Sequence, residues 1–278
     1  MTTENAQKDS QAPTIGVFDS GFGGLTVLRA LLPLIPGAHY VYLGDTARLP
    51  YGAKSPSTIA RYAVEAAKFL ESKGADLLLI ACNTATALAL DAIKASTKLP
   101  VIGVIDPGAR AAAASSNGDV LVLATEATVA SNAYTKACNA LNLNTIEKAC
   151  PLLVPLVEEG WLNHKVTRQV LTIYLREALE LADSKGVNPA SLLLACTHYP
   201  LLEPQIRAIL RSARSRIQII DSAQAAAEAV AKHFPQSFSN QPASCTFYAT
   251  DSIEKFQRLG SKFLGHPIPE VHLVDLGG

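Results

Sequence analysis

Residues 76–84 read Asp76-Leu77-Leu78-Leu79-Ile80-Ala81-Cys82-Asn83-Thr84, and residues 190–198 restate them as Ala190-Ser191-Leu192-Leu193-Leu194-Ala195-Cys196-Thr197-His198. In both, an apolar run of strand length ends in Ala-Cys and passes into a polar pair. A strand apolar at every position has no solvent face, so it belongs to a parallel sheet covered on both sides. Two such runs about one domain length apart mark an internal repeat. A weaker echo links Gly16-Val17-Phe18-Asp19-Ser20 with Leu121-Val122-Leu123-Ala124-Thr125.

Outward from these runs, apolar β-type segments alternate with helical patterns. Strands are expected over 14–18, 39–43, 77–81 and 101–104, with helices over 25–32, 57–73 (Ser57 as N-cap) and 84–95. The same grammar restarts with strands over 119–123, 145–149 and 192–195 and helices over 129–141 and 165–184. Further α/β elements follow at 218–220, 222–233 and 245–249. The fold class is α/β, with two pseudo-symmetric parallel-sheet domains facing each other across a cleft. The expected division is a loose tail over 1–13, a first domain over 14–102 plus 213–278, and a second over 103–212.

Composition narrows the function. The chain has 278 residues, is 49% hydrophobic, and carries 24 Lys+Arg against 24 Asp+Glu. Half-apolar content excludes a globally disordered chain. Zero net charge removes the footprint of a nucleic-acid binder, and 6% aromatic residues offer few stacking platforms. Mean hydropathy is positive at +0.19, but the apolar runs fall far short of the ~20 residues of a spanning helix, so no membrane partner is expected. Residues 1–13 have no apolar core for export. Five widely spaced cysteines without a Cys-x-x-Cys pair argue against a disulfide framework or zinc ribbon and for a reducing, cytoplasmic location. Cys196-x-His198 is too sparse for a metal site. Gly21-Phe22-Gly23-Gly24 lacks both the third glycine of a dinucleotide fingerprint and a following Gly-Lys-Ser/Thr.

In open α/β sheets, ligands bind beyond the carboxyl ends of the strands, where Cys82 and Cys196 stand. Backbone N–H groups there favour anions, so a thiolate of lowered pKa and a substrate carboxylate are both expected. Two thiols on opposite sides of a small molecule form a two-base device. One removes a proton from carbon and the other supplies one to the opposite face, inverting the centre. The bland alternative is burial, since free cysteine is among the most buried residue types. Cys138, Cys150 and Cys245 lack the repeated setting and are expected to be structural.

Several stretches carry a family resemblance. Residues 16–25 (Gly-Val-Phe-Asp-Ser-Gly-Phe-Gly-Gly-Leu), 44–52 (Gly-Asp-Thr-Ala-Arg-Leu-Pro-Tyr-Gly), 81–85, 150–160, 196–202 and Ile220-Asp221-Ser222 resemble, in order, the motifs of glutamate racemases. The resemblance spans about Ile15 to Asp221. It implies cofactor-independent interconversion of L- and D-glutamate, the latter a peptidoglycan precursor, by a homodimer with no nucleic-acid partner.

By the same resemblance, Cys82 deprotonates D-glutamate with help from Asp19. Cys196 deprotonates L-glutamate with help from His198 and Glu158. Asp19, Ser20, Tyr51, Gly52, Asn83, Thr84, Thr128, Thr197 and His198 hold the substrate. Hydroxyl and amide groups suit such a zwitterion. Structural alternatives exist for each: Asp19 as a helix cap, His198 as a turn residue, Glu158 as a solvated carboxylate, Tyr51 as packing, Asp45 and Arg48 as a mutual pair. Ala127 stands where the family often has glycine, and Asp106 where it often has glutamate. Neither touches the cysteine motifs. Rival readings are an aspartate or hydantoin racemase, a binding protein that has lost turnover, and a Cys-His hydrolase that leaves Cys82 without a role.

Overall fold

The computed structural model describes residues 12–115, 118–234 and 242–277, so most of the expected tail lies outside the described residues. Strands β1 (Thr14–Asp19), β2 (His39–Gly44), β3 (Leu77–Ile80) and β4 (Val101–Gly103) alternate with helices α1 (Leu25–Leu31), α2 (Pro56–Ser72) and α3 (Asn83–Ser96). Then come α4 (Ile105–Ser115), β5 (Asp119–Ala124), α5 (Glu126–Ser131), α6 (Ala133–Asn139), β6 (Thr145–Ala149), α7 (Leu153–Glu158), α8 (Lys165–Ser184) and β7 (Pro189–Ala195). The chain closes with α9 (Glu203–Ser212), β8 (Gln218–Asp221), α10 (Ser222–His233), β9 (Ser244–Ala249), α11 (Ile253–Leu264) and β10 (His272–Leu273).

Among the described residues these strands form two sheets, in the orders β10-β9-β2-β1-β3-β4 and β6-β5-β7-β8. Every strand pairing is parallel. The run β2-β1-β3-β4 has its counterpart in β6-β5-β7-β8, so the repeat read from sequence is a repeat of topology. Its register agrees: Phe18 pairs with Ile80 as Leu123 pairs with Leu194. β3 and the last five residues of β7 are buried throughout, as continuous apolar runs require.

The second sheet keeps β8. Residues 218–221, expected in the first domain, pair instead with β7, Leu192 opposite Ile219 and Leu193 opposite Ile220. The repeat explains this, because β8 is the counterpart of β4. The chain returns to the first sheet only afterwards, through β9 and β10. α10 lies against both α1 and α4. One apolar core runs continuously from Ile15 and Leu77 of the first sheet to Leu121 and Leu192 of the second.

Helix ends differ from expectation in two places. The cap of α2 is Ser55, whose hydroxyl accepts from the Thr58 N–H at 3.3 Å. Pro56, with no N–H to satisfy, takes the first helical position and moves the cap ahead of Ser57. The segment expected as one helix over 129–141 breaks at Asn132, which adopts φ 54° in the left-handed region that asparagine tolerates. α4, α7, α9 and α11 have no counterpart among the sequence expectations. Among the described residues no helix is long and apolar enough to cross a membrane.

Candidate active site

The two halves deliver their cysteines to equivalent places. Cys82 follows β3 and caps α3, its Sγ accepting from the Ala85 N–H at 3.4 Å. Cys196 follows β7 at the start of the turn leading into Tyr199–Leu202, a short 3-10 segment. Both are nearly buried, at 6% and 5% exposure. They lie within electrostatic reach of each other, so negative charge at Cys82 raises the proton affinity of Cys196.

Asp19, the last residue of β1, stands beside Cys82. One of its carboxylate oxygens accepts from the Gly21 N–H at 2.9 Å, while the other is buried and has no partner in good hydrogen-bond geometry among the described residues. Glycine is needed at position 24 because a Cβ there would come within 2.5 Å of the Asp19 Cβ. Burial raises the Asp19 carboxyl above its ordinary value, opposed by His198 and the Gly24 and Gly21 amides. The Cys82 thiol donates to Ser20 Oγ at 3.4 Å. Ser20 and Asp19 thus approach Cys82 from the end of the neighbouring strand.

On the other side, His198 Nδ1 is 3.9 Å from Cys196 Sγ and its Nε2 is 3.2 Å from Glu158 Oε1. Glu158, at the end of α7, also meets Lys255 at 3.8 Å. Burial pushes the Glu158 carboxyl up, but His198 and Lys255 outweigh it and hold the group below its ordinary value. Aromatic edges fix the imidazole: Phe263 lies edge-on with ring centroids 5.0 Å apart, and Phe22 lies at 6.3 Å. Phe22, Phe263 and Lys255 belong to the first-sheet half and reach a histidine carried by the second. No sequence pattern near residue 198 signals them.

A hydroxyl cluster completes the site. Thr84 Oγ1 lies 3.0 Å from Thr125 Oγ1 and 3.3 Å from Thr128 Oγ1, so Thr128 is seated despite Ala127. Thr125 caps α5 and was absent from the expected site; its signal is the Thr-x-x-Thr spacing at a helix start. Asn83 is buried and its Oδ1 accepts from the Tyr134 hydroxyl at 2.5 Å. Thr197 Oγ1 is 3.4 Å from His198 Nδ1.

Tyr51 and Gly52 lie in a short 3-10 segment, Tyr51–Ala53, packed against α3 and α5, the helices that carry this cluster. The Tyr51 ring is buried within electrostatic reach of Cys82, but its hydroxyl is committed to Asp45 at 2.5 Å. Asp45 also holds Thr250 at 2.9 Å and Arg48 at 3.6 Å, so the Asp45–Arg48 pair is real. Gly52 is exposed, and a Cβ there would meet nothing within 4 Å.

The expected lowering of the thiol pKa is corrected by the structure. Burial pushes Cys82 up to about 11, with Asp19 adding to the rise, and the Ser20 and Ala85 contacts only reduce it. Cys196 is pushed up as well, by burial first, against the pull of the His198 N–H. Desolvation outweighs helix-start polarity once the thiol is out of water. Among the described residues no group of three or more His, Cys, Asp or Glu side chains is placed to hold a metal ion.

Two thiols flanked by proton carriers and ringed by hydroxyls suit proton exchange at a carbon atom of a small zwitterion. Comparison with known proteins gives the family. A family model described as Asp/Glu/Hydantoin racemase matches residues 15–230. A glutamate racemase of Koribacter versatilis is 51% identical, over 96% of this chain and 99% of its own. One of Geobacter metallireducens is 42% identical, over 94% and 96%. Among solved structures, a glutamate racemase isoform from Bacillus anthracis matches with a TM-score of 0.86 at 34% identity, covering 95% of this chain and 98% of its own. The glutamate racemase of Francisella tularensis, in complex with D-glutamate, matches at 0.84 and 34%, covering 96% and 98%. With that match running from β1 into α10, and with relatives this similar across nearly their whole length, the chain belongs to the Asp/Glu/hydantoin racemase family.

Proposed function

We propose that this protein interconverts L- and D-glutamate without a cofactor, using Cys82 and Cys196 as its two bases, and so supplies D-glutamate for peptidoglycan synthesis. The observation that carries the mechanism is the placement of the two thiols at equivalent strand ends, with separate proton carriers: Asp19 for Cys82, and His198 with Glu158 for Cys196. Starting from D-glutamate, a Cys82 thiolate takes the Cα proton. The electron pair left on Cα spreads into the α-carboxylate, and the Cys196 thiol donates its proton to the opposite face. L-Glutamate leaves, with Cys82 now a thiol and Cys196 a thiolate. The reverse reaction starts from that state, so protons and charge balance over the pair.

Burial sets the cost of this device. With the Cys82 thiol at about 11, its thiolate at neutral pH lies roughly 5 kcal/mol above the thiol. A substrate ammonium beside the sulfur supplies the compensating positive charge, so the base is generated where it is used. Asn83, Thr84, Thr125, Thr128, Ser20 and Thr197 are suited to hold the carboxylates. The backbone of Tyr51-Gly52 remains available to a carboxylate, although the Tyr51 hydroxyl does not.

The same proposal includes a homodimer, checked by light scattering, and a reducing cytoplasmic setting that keeps the thiols free. In D2O, each enantiomer of glutamate is expected to gain deuterium at Cα without added pyridoxal phosphate or metal. Cys82→Ser and Cys196→Ser are each expected to abolish racemisation. Racemisation retained in either variant overturns the two-base assignment, and preference for aspartate in a parallel assay overturns the substrate.

A further inference from the structure

Asn83 follows Cys82 directly and is 3% exposed, yet its Nδ2 is buried without a hydrogen-bond partner among the described residues. A buried donor left unpaired costs free energy, so it marks a place where an acceptor arrives from outside the protein. The other arm of the amide is already engaged. Tyr134, on α6 and fully buried, donates its hydroxyl to Asn83 Oδ1 at 2.5 Å. A primary amide carries its acceptor and its two donors on opposite arms, so fixing one arm fixes the other. The reversed amide would aim a lone pair at an arriving carboxylate.

The contact also joins the two halves. Asn83 begins α3 behind Cys82, while Tyr134 belongs to the second-sheet half and lies within electrostatic reach of Cys196. We propose that Tyr134 is a positioning residue that locks the Asn83 amide with its NH2 group facing the bound substrate, as a donor to one of its carboxylates. The proposal rests on the glutamate reading above, and it adds a residue that never touches substrate.

The test is a double-mutant cycle read by glutamate binding, so that a variant without turnover still counts. Tyr134→Phe keeps the ring and removes only the hydroxyl. It is expected to weaken glutamate binding about tenfold in the parent, the scale of one hydrogen bond to a charged group. In an Asn83→Ala background the same change is expected to alter binding less than about twofold, because its effect passes through the missing amide. A merely structural tyrosine would cost the same in both backgrounds. Equal losses, or no loss in the parent, overturn the proposal. Asn83→Asp supplies a second check: it puts acceptors on both arms and is expected to bind about tenfold more weakly than Asn83→Ala. Equal binding by those two variants also overturns the proposal. If the parent itself fails to bind glutamate, the glutamate reading falls; if the parent binds and the variants behave otherwise than stated, only the role of Tyr134 falls.

Discussion

Thr26 Oγ1 donates a 2.9 Å hydrogen bond to the carbonyl oxygen of Thr197, tying the helix after β1 to the turn that carries Cys196 and His198. The same turn is pressed against the glycine loop. A Cβ at Gly23 would stand 2.3 Å from Thr197 Oγ1 and 2.6 Å from His198 Cε1. Close approach of the two halves therefore depends on one missing methyl group.

Gly23→Ala is expected to push the Thr197–His198 turn away from its place. Displacement of about an ångström at reacting groups costs on the order of 100-fold, so kcat/KM for glutamate should fall by about that factor. Gly108→Ala serves as the control, since an added Cβ there would meet nothing nearer than 3.5 Å. Melting temperatures and steady-state kinetics check both. A Gly23→Ala enzyme with parental kcat/KM would show that the turn can yield without consequence.

Tyr51→Phe separates a structural hydroxyl from a binding one. The Tyr51 hydroxyl is held by Asp45, which is completely buried. Removing it leaves Asp45 short of a donor and is expected to cost about 1–2 kcal/mol of stability. KM for glutamate is expected to stay within about twofold, because a hydroxyl already committed contributes little to substrate binding. Urea melts and initial rates distinguish the two effects, and a large KM change would return the hydroxyl to the substrate.

The parts of this fold that were legible in the sequence are those whose physics is local or repeated. Leu77–Ile80 and Leu192–Ala195 could be read because strands buried on both faces leave no polar alternation. Their shared Ala-Cys ending located both thiols. Other features depend on partners far along the chain. Gln218–Asp221 is short and partly exposed, and only its pairing with β7 assigns it to the second sheet. The break at Asn132 turns on one left-handed residue inside an otherwise helical pattern. Phe263 and Lys255 reach His198 and Glu158 from the last helix, with no spacing to announce them. The rise in thiol pKa was hidden for the same reason, since desolvation comes from residues packed around a group rather than beside it in sequence.

Glu158→Gln tests the charge on the Cys196 side. Burial raises the Glu158 carboxyl, but His198 and then Lys255 bring it below its ordinary value. A carboxyl with a lowered folded pKa adds stability above the ordinary carboxylate range, and that stability is lost as pH falls through the folded value. With 21% of the side chain exposed, the loss in Glu158→Gln at neutral pH is expected to be about 1 kcal/mol after solvent screening. The gap between parent and variant should narrow as pH falls below the ordinary carboxylate range. In kinetics, kcat is expected to drop about tenfold, less than the loss of a direct acid or base. Enantiomers have equal free energy in water, so kcat/KM must remain equal in the two directions. Any asymmetry must then appear as paired changes in kcat and KM, measured from both enantiomers. Parental kcat in both directions would remove Glu158 from the proton path.

Alkaline titration tests whether Cys82 is as dry as its surroundings indicate. Burial, reinforced by Asp19, raises its thiol to about 11. For a group whose folded pKa is raised, the stability contribution is complete below the unfolded value and is lost as pH climbs through the folded one. Between about pH 9 and 11 the unfolded chain releases this proton while the folded protein retains it. The parent should therefore lose roughly 2 kcal/mol more than Cys82→Ala between pH 8 and 11. Urea melts at closely spaced pH values measure the difference. Equal declines in the two proteins would mean that water reaches Cys82 as easily in the folded state as in the unfolded chain, and a thiol so hydrated would not need the substrate's ammonium to make it a base.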